Sequence, residues 1–206
     1  MKNKHKLLRS LQAAPDLVLL IREAEAIIER ETDKRHKFYE LIHEDHKAEF
    51  INGEVVFRSP VRRQHWRATT RLAMKLSAYV ERLGLGEVGI EKVMISLTRN
   101  DYEPDVCFFR QEVAATFTPE QMLFPAPDFL VEVVSNSTEK TDRGEKFVDY
   151  AAHGVQEYWI VDPRHQCVEQ YLLQDDGTFM LHAKVAEGVI RAQAVPGFSI
   201  DAEEIF

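Results

Sequence analysis

The chain has 206 residues, long enough for one domain with a real core and a small appendage. Its 45% apolar and 29% charged content is that of a soluble globular protein, and a formal charge of −8 argues against a broad electrostatic grip on nucleic acid. KNKHKLLRS at the N-terminus and the short LVLLI cluster fit neither a secretory signal nor a membrane span, so a cytoplasmic protein with no membrane partner is expected.

In chain order, Asp16 after Pro15 is placed to cap an amphipathic helix over about 17–31, and residues 1–35 read as a helical extension. KAEFINGEVVF (47–57) predicts a hairpin about Asn52-Gly53, with Ala48, Phe50, Val55 and Phe57 on one apolar face. Glu49, Ile51, Glu54 and Val56 share the other face. A helix over 62–83 follows, carrying Trp66, Leu72, Ala73, Leu76, Tyr79, Val80 and Leu83 at helical spacing and ended by Gly84 and Gly86.

Strands are expected at 87–98 and 105–110, a short helix near 119–123, and an apolar strand in PDFLVEVV (127–134). A helix over 139–153, capped from the SNST loop and stopped by Gly154, leads to the buried strand QEYWIVD. Strand, helix, strand predicts a right-handed parallel crossover. Tyr158 and Trp159 read as core, and the tail reads as a three-stranded meander. Cys107 and Cys167 lack CxxC spacing and read as reduced structural thiols. Residues 36–206 thus form an α/β domain with a mixed sheet.

One charge, Glu132, interrupts that apolar strand. Asp128 lies on the same face but roughly 13 Å away, too far to share an ion with it. Asp105, opening another strand after Pro104, can come within about 5 Å of Glu132 across a strand pair. Two such carboxylates repel unless a cation lies between them, and hard oxygen ligands favour Mg²⁺ or Mn²⁺. Glu132 could equally face solvent or pair with an arginine.

Lys146 lies four residues after Asp142, which makes either a surface pair or an ammonium delivered over the sheet to the carboxylates. Arg63, Arg67, Arg71 and Lys75 recur every four residues on the long helix, with His65 nearby. That stripe suits DNA phosphates or is simply a solvated face. His43 and His46 have HxxH spacing without a third ligand, too little for zinc.

EPDVCFF, PDFLVEVVSNST, DRGEKFVDYAAHGVQEYWIVDP and KAEFINGEVV together resemble the Uma-two family of endonuclease-like proteins, within the PD-(D/E)XK nuclease superfamily, over about 36–206. The resemblance implies a restriction-endonuclease-like core, a divalent-metal phosphodiesterase site and a homodimer acting on DNA. Asp105 and Glu132 match the family's two carboxylates, Lys146 and Asp142 its D…K helix, Glu49 the acidic residue of its first hairpin, and His65 a further family position. Val134 stands where the superfamily's usual lysine would be, so Lys146 would replace that lysine from the helix.

On this reading Asp105, Glu132 and the Val133 carbonyl hold Mg²⁺, which polarises the scissile phosphate and activates water. Glu49 holds a second ion or a water, and Glu54 is a weaker candidate beside the turn. The alternative is an inactive nuclease-derived module that binds DNA or protein, and a small-molecule phosphodiesterase is a further one.

Overall fold

The computed structural model describes residues 2–42, 47–57 and 59–206; the HxxH pair His43 and His46 lies outside the described residues. Two helices, α1 (Lys2–Ala13) and α2 (Leu17–Leu41), precede the hairpin of β1 (Ala48–Ile51) and β2 (Glu54–Phe57). Then come α3 (Arg63–Leu83), β3 (Gly86–Ile90), β4 (Met94–Ser96), β5 (Asp101–Tyr102), β6 (Val106–Arg110), α4 (Gln111–Ala114) and β7 (Leu123–Phe124). The crossover unit is β8 (Phe129–Val133), α5 (Glu139–Asp142), α6 (Glu145–Ala152) and β9 (Glu157–Asp162). The chain closes with β10 (Cys167–Leu173), β11 (Phe179–Val185), β12 (Val189–Arg191) and β13 (Ser199–Asp201). No helix among the described residues is long and apolar enough to cross a membrane.

The central sheet has the order β11-β10-β9-β8-β6-β3, with β8 and β9 parallel as the strand–helix–strand pattern requires. Strand alternation divides its core. Phe129, Val131 and Val133 of β8 pack with Leu72, Leu76 and Val80 of α3, while Leu130 faces Tyr150 and Ala151 of α6. Trp159 and Tyr158 belong to these two opposite cores, both fully buried. The second sheet, β2-β1-β5-β4-β7, carries the hairpin. Asn52 and Gly53 there have φ of 50° and 82°, the left-handed pair of a type I′ turn, and the register sets Glu49 opposite Val56. A Cβ on Gly53 would meet the Glu31 side chain at 2.7 Å, because α2 packs over the turn.

Several expectations change. The helix expected over 17–31 runs on to Leu41, held by tertiary contacts: Arg35 forks onto Asp101 at 2.6 Å, and Phe38 is buried. Asp16 makes no capping bond. The strand expected over 87–98 breaks at Glu91 and Lys92, whose φ of 54° and 26° turn the chain from one sheet into the other. Around 119–123 there is a turn and β7 rather than a helix, and the helix near it is α4.

The 139–153 helix is interrupted at Gly144, so Asp142 and Lys146 sit on consecutive short helices. The last strand does not extend a meander, since β12 pairs with β13 in a separate ribbon. Val55, Phe57, Trp66 and Leu83, assigned to apolar faces, are exposed, because each lies beyond the surface that its element packs against. Cys107 and Cys167 are buried free thiols.

Charged side chains join the crossover to the following hairpin. Burial would raise the Glu169 carboxyl, but hydrogen bonds from Arg143, Lys184 and Tyr171 hold it down to about 2. A carboxyl depressed in the fold contributes stability above its unfolded pKa and loses it as the pH falls through the folded one. Acidification from about pH 4 to about pH 2 should therefore remove stability, about 1 kcal/mol after allowing for solvent screening. Urea melts of Glu169→Gln across that range should be flatter than those of the wild type, and parallel curves would rule out this contribution.

Candidate active site

β6 and β8 pair antiparallel with Val106 opposite Val131, a register that brings Asp105 and Glu132 to the same end of the strand pair. β1 supplies Glu49 from one side, α3 supplies His65, and α5 and α6 supply Asp142 and Lys146. All six side chains are buried, and they line one cavity of about 350 Å³.

Lys146 lies at the centre of the acidic group. Its Nζ is 2.7 Å from Glu49, 2.8 Å from Glu132 and 3.6 Å from Asp142, and it stands over the Tyr102 ring. Tyr150, one turn further along α6, donates to the same Glu132 oxygen at 3.0 Å. Asp105 accepts from the Val133 amide at 2.7 Å and lies 3.1 Å from His65 Nε2. Lys47 approaches Asp105 at 3.6 Å and Glu91 at 2.9 Å. Val133, whose carbonyl is the ligand expected from sequence, thus holds Asp105 through its amide and lines the same cavity.

The electrostatics are unbalanced toward negative charge. Five buried acidic side chains (Glu49, Glu103, Asp105, Glu132 and Asp142) line the cavity, against the buried or half-buried ammonium groups of Lys146 and Lys47, with the guanidinium groups of Arg62 and Arg164 at its exposed edge. Burial raises the Glu132 carboxyl to about 8 despite Lys146, with Asp142, Asp105 and Glu49 adding to the rise. Burial likewise raises Glu103 to about 7, and it raises Asp142. Asp105 differs: burial would raise it, but His65, Lys47 and the Val133 amide hold it below the usual carboxylate range.

Among the described residues, the buried oxygens Glu103 Oε2 and Asp142 Oδ1 have no hydrogen-bond partner, and neither has His65 Nδ1. Clustered buried acids with hydrogen-bonding capacity left over fit a divalent cation. The tightest ligand set among the described residues is His65, Glu91 and Asp105, with one ligand atom of each within 4.8 Å of the others. Asp105 is common to this set and to the one expected from sequence, whereas Glu132 turns its Oε1 to Lys146 and Tyr150.

The remaining candidates divide. Arg63 and Arg67 line a second cavity together with Arg62 and Gln64, which also border the acidic one. Arg71 and Lys75 lie further along α3 and are engaged within the protein, Arg71 by the Phe206 main-chain oxygen and Lys75 by Glu204 at 2.9 Å. The four-residue stripe therefore splits where the C-terminal turn crosses α3. Glu54 lies outside the cavity on the exposed strand β2 and pairs with Lys34.

Sequence reasoning missed Lys47, Glu91, Glu103 and Tyr150. Lys47 precedes Glu49 by two residues on a strand edge, and Tyr150 continues the Asp142–Lys146 spacing, so periodicity could have found both. Glu91 carries no such signal, because a left-handed kink aims it.

Fold and cavity together define a mixed-sheet α/β protein with a buried acidic cleft built around one lysine. The chain belongs to the Uma2 family, described as "Putative restriction endonuclease", which matches it over residues 35–203. Among solved structures it is similar to a crystal structure titled as a putative nuclease belonging to DUF820 from Anabaena variabilis ATCC 29413. The TM-score is 0.70 at 16% identity, covering 82% of this chain and 94% of that one. Comparison with curated proteins finds no match.

Proposed function

We propose that the protein is a divalent-metal-dependent endonuclease that hydrolyses DNA phosphodiester bonds. The observation that carries this is the convergence of Asp105, Glu132 and Lys146 on one cavity, from two adjacent strands and the helix after them. Asp105, with Glu91 and His65 beside it, and Glu132 from the neighbouring strand are the residues that would hold Mg²⁺ or Mn²⁺. When bound, such an ion supplies Lewis-acid polarisation of the phosphate and a more acidic water.

The chain's own residues do the rest. Lys146 balances Glu132 and Glu49 and presents positive charge where the attacked phosphate gains negative charge. Tyr150 fixes the Glu132 carboxyl in place. Glu49 also accepts from the Glu103 amide at 3.1 Å, which fixes the hairpin against β5. Arg62 at the edge of the acidic cavity, with Arg63 and Arg67 in the adjoining one, offers contacts to the phosphates flanking the cut.

Supercoiled plasmid incubated with Mg²⁺ or Mn²⁺ should be nicked or linearised. Asp105→Asn and Glu132→Gln should each slow this by at least ~100-fold, since each removes a charge at the reacting phosphate. A binding module without cleavage is the second reading. It is favoured by the two carboxylates that already engage Lys146 and by the overall charge of −8. Plasmid left intact across both metals and pH 6–9, yet retarded in a gel, would select that reading.

A further inference from the structure

We infer that α1 and the N-terminal half of α2 form an arm that pairs with the same arm of a second copy of this chain, so that the protein is a dimer joined outside its catalytic domain. From Glu31 onward α2 is tied to the domain: Glu31 to Arg99 at 2.7 Å, Lys34 to the Gly53 carbonyl at 3.1 Å, and Arg35 to Asp101. Before Glu31 this stops. Among the described residues, no hydrogen bond or ion pair links residues 17–30 to the domain, and only Leu17 and Ala26 are half-buried there.

This uncovered stretch is apolar. Val18, Leu19, Ile21 and Ile28 are 46–61% exposed, and Leu7 of α1 is 61% exposed. With Leu8, Leu20 and Ile27 they leave uncovered apolar surface on both helices, the kind of surface that marks an interaction site. The exposed side chains of α2 surround the helix rather than forming a single stripe. A helix of that pattern needs cover from more than one side, as in a bundle of helices.

Charge selects the occupant. Residues 2–13 carry Lys2, Lys4, Lys6 and Arg9 with no acidic residue, whereas residues 17–30 carry Glu23, Glu25 and Glu29 against Arg22 and Arg30. Laid antiparallel, the basic α1 of one copy complements the acidic α2 of its partner, so the four helices close on themselves with two-fold symmetry. The family match begins at residue 35, after the arm. The inference holds whether or not the cavity cuts DNA.

Sedimentation equilibrium of the full chain at 1–100 µM tests it. The wild type should run at twice the 23.8 kDa chain mass. Leu20→Glu combined with Ile28→Glu should raise the dissociation constant at least ~100-fold, with thermal unfolding of the domain unchanged. A dimer that survives the double substitution, or a wild type monomeric at 100 µM, overturns the inference. A monomer that co-sediments with phosphatidylglycerol vesicles would assign the arm to a lipid surface and likewise overturn it.

Discussion

Lys146→Met is expected to destabilise the protein by about 3–5 kcal/mol, because it leaves Glu49 and Glu132 buried without their ammonium partner. Methionine fills much of the same space, so lost charge rather than a cavity is measured. The loss should grow with pH. A carboxyl whose folded pKa is raised, as Glu132 is to about 8, contributes its stability below the unfolded value near 4 and loses it as pH rises through 8. Without the ammonium the folded pKa rises further, and the window of declining stability extends to higher pH.

Urea melts at pH 6 and pH 9 read this directly. Adding Glu132→Gln to Lys146→Met should recover part of the loss, since it removes one of the unpaired charges. A single variant within 0.5 kcal/mol of wild type at both pH values would show that the ammonium does not balance the cluster.

Mn²⁺ should raise the melting temperature, by roughly 5–10 °C at a hundred times its dissociation constant, which corresponds to about 2.7 kcal/mol of linkage. Asp105→Asn should abolish that rise, because Asp105 belongs to the one tight ligand set among the described residues. Lys47 makes the experiment more specific. Its ammonium already contacts Glu91 and Asp105, so a cation there must displace it, and Lys47→Met should tighten Mn²⁺ binding about tenfold. Mn²⁺ titrations followed by calorimetry separate the outcomes. Weaker binding in Lys47→Met would mean that the lysine supports the ligands rather than competing with the ion, and no thermal shift in the wild type would remove the metal site.

Much of this arrangement was legible in the chain because it depends on local geometry. Asn52-Gly53 demanded a type I′ turn, and that turn fixed which residue faces Glu49. The apolar run 129–134, the polar loop and the next apolar strand demanded a parallel crossover, and period-two alternation then put Glu132 on the face toward α6. The four-residue spacing of Asp142 and Lys146 predicted that they would be neighbours, which survives a helix break at Gly144.

What the tertiary structure alone decided lies where distant segments meet. The left-handed kink at Glu91 and Lys92 moves the chain between sheets and turns Glu91 toward His65 and Asp105. The C-terminal turn across α3 separates Arg71 and Lys75 from Arg63 and Arg67. The length of α2 was set by Arg35 and Phe38 docking on the second sheet, not by its own periodicity. Backbone pattern is short-ranged, so residues within one or two turns or strands reveal it. The balance of charge in a cavity is a sum over every segment that reaches it, and no single stretch of the chain contains that sum.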